Sequence, residues 1–324
     1  MFVYHRQMVY SRIVKTDNPQ SSAQIFLVGV LEAAGAFAIW GMVPLYWDQI
    51  RSVPSIEIVY HRVAWTFLAA WIVVAARGKL REALALAGQR SVIVLTVCAG
   101  LLVTFNWSIF NLSIVIGRVV DSSLGYYINP LFSVFLGTVF LKERLTRLQV
   151  VALILAAIGV GYLVVWYGEV PWISLGLAFT FGLYGLIKKQ TKTPADIAMA
   201  LDMSVTAPIA ITIIAVTGLA GSGAFPNAGA RTSLLLAGAG LVTLIPLLLF
   251  AGGARKIPLS NLGFIQYITP TLFFLIGVFL FREDFPIARL PGFVLVWVAL
   301  ILNTASNIIA VRRYRAGTPS RSGS

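Results

Sequence analysis

Between residues 25 and 311 the chain passes through ten near-continuous apolar stretches, at about 25–47, 57–76, 91–113, 120–141, 148–167, 170–187, 197–218, 233–254, 260–281 and 290–311. A bilayer core about 30 Å thick is crossed by about 20 apolar residues in a helix. Each stretch is therefore one span long, and together they predict an all-α polytopic membrane protein with ten transmembrane helices. A membrane β-barrel is excluded, because its strands alternate apolar and polar residues. A soluble globule is excluded by supply. Hydrophobic residues make up 58% of the chain and charged residues 11%, with a mean hydropathy of +0.86. That leaves too few polar side chains to clothe an exterior. The first stretch is too long for a signal-peptide core and lacks a clear small-x-small cleavage site, so it reads as an uncleaved span.

The 324 residues divide into a polar tail (1–24), two five-helix units (25–167 and 170–311) and a basic tail (312–324), both tails expected in the cytoplasm. The net charge of +13 does not imply a nucleic-acid partner, because membrane proteins collect Lys and Arg in cytoplasmic loops. With the N-terminus inside, 19 of the 25 basic residues fall in cytoplasmic segments. Five fall outside (Arg51, Arg118, Arg231, Arg282 and Arg289), and Arg62 lies within a span. This bias places both termini in the cytoplasm and supports an even helix count. Trp47, Trp71, Trp166, Tyr167 and Trp172 stand near span ends, where amphipathic rings prefer the headgroup layer. One cysteine, Cys98, and two histidines, His5 and His61, exclude a disulfide framework and a Cys- or His-based metal cluster. No metal or cofactor is expected.

The chain matches itself at an offset of 140 residues. Tyr127, Ile128 and Pro130 correspond to Tyr267, Ile268 and Pro270, Gly137 to Gly277, Lys142-Glu143 to Arg282-Glu283, and Gly100-Leu101 to Gly240-Leu241. Five helices per unit is an odd number, so the second unit enters the membrane from the opposite side. The expected architecture is two inverted-topology repeats, as in many secondary transporters.

The same residues carry a family resemblance. Ser123-Leu124-Gly125-Tyr126-Tyr127-Ile128-Asn129-Pro130 resembles the signature of RarD-type proteins, within the EamA family of the drug/metabolite transporter superfamily. Trp40-Gly41 with Pro44-Leu45-Tyr46-Trp47, His61-Arg62, Asn106-Trp107, Leu141-Lys142-Glu143-Arg144-Leu145 and Tyr184-Gly185-Leu186-Ile187-Lys188-Lys189 are similar too, so the resemblance spans about 25–311. It implies a ten-helix permease or exporter of the bacterial inner membrane, linked to chloramphenicol sensitivity.

Candidate site residues gather around Pro130 and Pro270. Each lies twelve residues before a basic helix end, Lys142 or Arg282, about 18 Å along a helix and so close to the midplane. A proline inside a helix frees the carbonyl four residues back, here those of Tyr126 and Gln266. Paired broken helices point to a transporter's binding site; a packing kink is the alternative. Around such a cavity Tyr126, Tyr127, Asn129, Gln266 and Tyr267 would supply hydroxyls, amides and ring faces, which suits an organic solute. Asn106 with Trp107 could hold a substrate or tie helices together. Trp40-Gly41 and Tyr184-Gly185 read first as helix-packing pairs. Asn303 and Asn307 read as helix glue or a contact in a homodimer, and His61 as interfacial.

Three ionisable residues fall inside spans: Glu32, Arg62 and Asp202. By depth Glu32 and Asp202 belong to the cytoplasmic half and Arg62 to the outer half, from which it could snorkel. Two buried acids without a base at their depth would be costly. Lys188 or Lys189 could neutralise one, leaving the other to carry a proton in antiport. The expected function is proton-coupled secondary transport of a small organic metabolite or drug-like solute through the lipid bilayer. A channel or a non-transporting sensor is the alternative, and a membrane-embedded enzyme a weaker one. No phosphate loop is present, and no paired nucleophile and base is evident in the spans.

Overall fold

In the computed structural model, residues 19–115, 119–167, 172–282 and 287–316 are described. Arg118, Glu283 and the greater part of both tails lie outside the described residues, as do the side chains of Ser123 and Leu124.

The described chain is helical throughout, with no strand. The long helices are α1 (Pro19–Asp48), α2 (Ser55–Ala76), α3 (Arg90–Val115), α4 (Val119–Val139), α5 (Arg147–Tyr167), α6 (Trp172–Gln190), α7 (Ala195–Leu219) and α8 (Ala230–Lys256). They are followed by α9 (Leu259–Gln266), α10 (Ile268–Leu275) and α11 (Leu290–Ala316). Prolines open three of them: Pro54, Pro194 and Pro258 stand at the N-caps of α2, α7 and α9, where a missing N–H costs nothing. Among the described residues, eight helical segments are long and apolar enough to cross a membrane, with α9 and α10 counting as one through Leu280. Helices α4 and α6 are more polar, because α4 carries Tyr126, Tyr127 and Asn129, and α6 carries Lys188 and Lys189. The protein is thus a multi-pass membrane protein. Its outer surface agrees: Leu31, Ile72, Val165, Leu219 and Ile301 are all more than 60% exposed, a cladding that suits lipid and not water.

Both ends of the apolar region differ from the sequence reading. Helix α1 starts at Pro19, within the expected polar tail, and α11 continues through Arg315 of the basic tail. Polar residues can extend a helix beyond the bilayer, where water solvates them.

In lipid no hydrophobic drive holds helices together, so small residues that allow close approach matter. Gly100 faces the Asp202 carbonyl and Val205 of α7, and an added Cβ would sit 2.3 Å from that oxygen. Gly240 faces the backbone of Trp65 in α2, with a Cβ at 2.5 Å. The strongest packing pairs are α4 with α6, α1 with α8 and α10, α5 with α11, α2 with α7 and α8, α9 with α4, and α3 with α6 and α7. One apolar core includes Phe37, Tyr184 and Phe250. A second gathers Tyr127, Phe264, Tyr267 and Phe293 where α4, α5, α9 and α11 meet.

The turns after α4 and α10 share a geometry. Lys142 and Arg282 both adopt a left-handed backbone, each with φ 54°. After Lys142 the chain doubles back, and Glu143 receives the N–H groups of Leu259 and Ser260 at 2.7 and 2.9 Å and the Ser260 hydroxyl at 2.7 Å. These amides have no partner inside α9, so the carboxylate caps its N-terminus.

Candidate functional site

A cavity of about 120 Å³ opens where α1, α2, α3, α4, α6, α8, α9 and α10 converge. Its aromatic wall comes from α1, whose Phe37, Trp40, Pro44 and Trp47 recur at helical spacing and all line it. The Trp40 ring packs 5.6 Å from Phe37, 5.6 Å from Phe181 and 5.7 Å from Phe250. Opposite, Phe110 and Phe273 flank the Tyr126 ring at 6.2 and 5.1 Å.

The polar part is made of Arg62, Asn106, Tyr126, Asn129, Gln266 and Thr269. The Asn106 amide donates to the Leu177 carbonyl at 3.0 Å and the Thr180 hydroxyl at 2.8 Å, which fixes it to α6. Thr269 donates to the Phe37 carbonyl at 2.8 Å. Asn129 and Gln266 are each 4% exposed, and the Asn129 Oδ1 has no partner.

Of the residues expected around the prolines, Tyr126, Asn129 and Gln266 line the cavity, as do Trp40, Asn106 and Trp107. Tyr127 and Tyr267 do not; they pack into the second core, with the Tyr127 hydroxyl donating to the Pro270 carbonyl at 3.2 Å. Neighbours on a helix point about 100° apart; here Tyr126 and Gln266 turn to the cavity and Tyr127 and Tyr267 to the second core. The helix break is also single. Pro130 lies inside the continuous α4, whereas the chain breaks at Tyr267, between α9 and α10, just before Pro270. Pro130 and Pro270 are both buried.

The charges differ most from expectation. Asp202 pairs with Lys188, both side chains 2% exposed, as the inward reach of that lysine suggested. Glu32 is neutralised by Lys256, while Lys189 donates instead to the Ile257 carbonyl. Neither acid is left without a base, because long lysine stems carry the ammonium inward from the helix ends. Asp196 joins the same end of the bundle with Arg77 and Lys79, each at 3.0 Å.

Arg62 does not snorkel outward. Its guanidinium lines the cavity, 4.3 Å from the Trp107 ring centre and 5.3 Å from that of Trp47, and its Nε donates to the Thr243 hydroxyl at 3.3 Å. A charge within a span costs about 2.5–3.5 kcal/mol on insertion scales. A cation over an aromatic face gains about 0.5–2 kcal/mol, so two rings offset much of that cost. His61, beside it, is 1% exposed; its Nδ1 accepts from the Trp65 indole at 3.1 Å. Asn303 is helix glue: Gln149 of α5 donates to Asn261 of α9 at 2.6 Å and to Asn303 of α11 at 3.4 Å.

Known proteins share this chain's sequence over nearly its whole length. Residues 27–165 match the EamA-like transporter family. An uncharacterized transporter of Bacillus subtilis, YojE, is 40% identical over 86% of this chain and 94% of its own length. Protein RarD of Streptomyces exfoliatus is 38% identical over 94% of both. The chain belongs to the EamA-like transporter family, as a RarD-type member. A solved structure described only as "Crystal structure of protein" superposes with a TM-score of 0.67 at 16% identity, covering 86% of this chain and 98% of that chain. That likeness is one of fold alone. The family and the names of these relatives point to transport and not to catalysis. Among the described residues of this EamA-family chain, no cluster of three metal-binding side chains occurs.

Sequence reasoning missed Phe37, Pro44, Trp47, Phe181, Thr269 and Phe273. The signal was available for two of the helices. Tyr126 and Asn129 match Gln266 and Thr269 at the same offset of 140, and all four face the cavity. The stripe of Phe37, Trp40, Pro44 and Trp47 needed only the helical period.

Proposed function

We propose that this protein is a secondary transporter of a small organic metabolite or drug-like solute, working by alternating access in the bacterial inner membrane. It crosses the membrane ten times, in two inverted five-helix repeats, with both termini in the cytoplasm. The observation that carries this reading is the cavity. It draws residues from both halves, combines amides and one cation with aromatic walls, and sits where matched positions of the two halves meet.

The packing pattern supports the repeat. Exchanging each helix with its counterpart in the other half turns the α4–α6 contact into that of α9 and α10 with α1, and α1–α8 into α6–α3; α2–α7 and α5–α11 map onto themselves. The twin left-handed turns at Lys142 and Arg282 agree, as do the reciprocal approaches of Gly100 to Val205 and of Gly240 to Trp65.

Proton coupling runs through the Lys188–Asp202 pair, which ties α6 to α7 on the cytoplasmic side. Protonating Asp202 leaves a buried ammonium without a counter-charge, so the two helices separate and the cavity opens inward. The test is reconstitution into proteoliposomes with candidate amino acids, other metabolites and amphipathic drugs under an imposed pH gradient. Wild type should accumulate a solute against its gradient. Asp202→Asn should keep solute counterflow and lose pH-driven accumulation. Non-saturable flux without counterflow would indicate a channel, and normal accumulation by Asp202→Asn would remove the proton step.

A further inference from the structure

We infer that the cavity binds an organic anion, a carboxylate on an apolar body, anchored by Arg62. This rests on reading the cavity as the substrate site, and it names the substrate class. The acids inside or at the ends of the spans are committed elsewhere: Asp202 to Lys188, Glu32 to Lys256 and Asp196 to Arg77 and Lys79. Glu57, on the same helix as Arg62, accepts the Ala224 N–H at 2.6 Å. Among the described residues no carboxylate lies within 4 Å of Arg62, and its only hydrogen bond is the one from Nε to Thr243. Among the described residues, the two terminal nitrogens, with four N–H groups, have no hydrogen-bond partner.

A guanidinium in this state is half of a bidentate pair, since its fork matches the two oxygens of a carboxylate. Trp107 and Trp47 hold the cation in place, so its orientation is set before a ligand arrives. The amides of Asn129 and Gln266 share the cavity, and each carries N–H donors that an anion can also use. The described lining residues include one cation and no acid, so an ammonium solute would meet repulsion without compensation. The remainder of the wall, Phe37, Trp40, Phe181 and Phe273, has no use for a bare inorganic ion and fits an apolar body.

The test uses the full-length protein in detergent micelles and three probes of similar shape: 3-phenylpropanoate, 3-phenylpropanamide and 3-phenylpropylamine. Calorimetry should give the carboxylate at least a tenfold lower Kd than the amide or the amine. Arg62→Gln should erase that preference, and Arg62→Lys should keep only part of it, since a point charge replaces the fork. Should Arg62→Gln fail to fold, the wild-type comparison of the three probes still decides. Equal affinities, preference for the amine, no saturable carboxylate binding, or an unchanged preference in Arg62→Gln would each overturn the inference. So would chloride that competes as strongly as the carboxylate, which would make Arg62 a counter-ion site only. Counterflow separates this inference from the transport reading. Exchange of the amine or amide but not the carboxylate refutes the anion and keeps transport. Selective carboxylate binding without exchange of any probe keeps the anion and refutes transport.

Discussion

Replacing Lys188 by Met and Asp202 by Val, singly and together, should give a strongly non-additive cycle. Both side chains are 2% exposed, so solvent does not screen the pair. Removing one partner strands a buried charge, which costs about 3–5 kcal/mol. Removing both leaves apolar groups of similar volume, and such replacements of buried ion pairs are often neutral or stabilising, within about 1–4 kcal/mol. The double variant should therefore be more stable than either single one, by about 2 kcal/mol or more on the same reasoning. In thermal melts of the detergent-solubilised protein, each single variant should fall by about 6–20 °C at 2–4 °C per kcal/mol. The double variant should recover most of that loss. A double variant as unstable as the summed singles, or a Lys188→Met melt equal to wild type, would show that the two groups do not form a buried pair and would refute the reasoning.

Three further outcomes can be measured. Glu143→Ala leaves two helix N-terminal amides and the Ser260 hydroxyl without their acceptor, and should cost about 2–4 kcal/mol after allowance for partial exposure; Glu143→Gln should lose about half as much, and equal melts for wild type and Glu143→Ala would contradict the cap. Gly240→Ala, whose Cβ would press on the Trp65 backbone at 2.5 Å, should destabilise by about 3 kcal/mol or prevent assembly, whereas Gly161→Ala, with nothing within 4 Å, should be neutral or gain up to about 1 kcal/mol. With Cys98 replaced by Ala, single cysteines at positions 80 and 320 should resist an impermeant outer thiol reagent in whole cells, while one at 169 should react; labelling at 320 would invert the orientation.

The long helices were legible because a spanning helix must bury its polar backbone under a continuous apolar run, and that requirement writes itself into consecutive residues. The self-match at 140 residues was legible because Tyr, Pro and Glu stand out from the apolar background. The site was legible in part. Asn129 and Gln266, which line the cavity, could be singled out beside the two prolines, since position along a helix follows from counting. Which way a side chain points does not follow from its place along the helix, so Tyr127 and Tyr267 were assigned to the cavity although they pack into the second core. The partners of the charges were harder still. Glu32 and Lys256 are 224 positions apart, and no local pattern records which helix end will lie beside which.

The packing also bears on the order in which the chain can be assembled. The principal contacts of α1 to α5 are made with α6 to α11 and not with one another. A nascent first half, already threaded into the lipid, holds few of its final neighbours: the capping glutamate at 143 has no α9 to cap, and Glu32 has no lysine. Its helices must wait, dispersed or loosely touching, until the second half slots between them, so completion of the fold is tied to the last third of translation. The two halves expressed as separate polypeptides should behave like the strands of a zip, each unstable alone and competent only when both reach the same membrane.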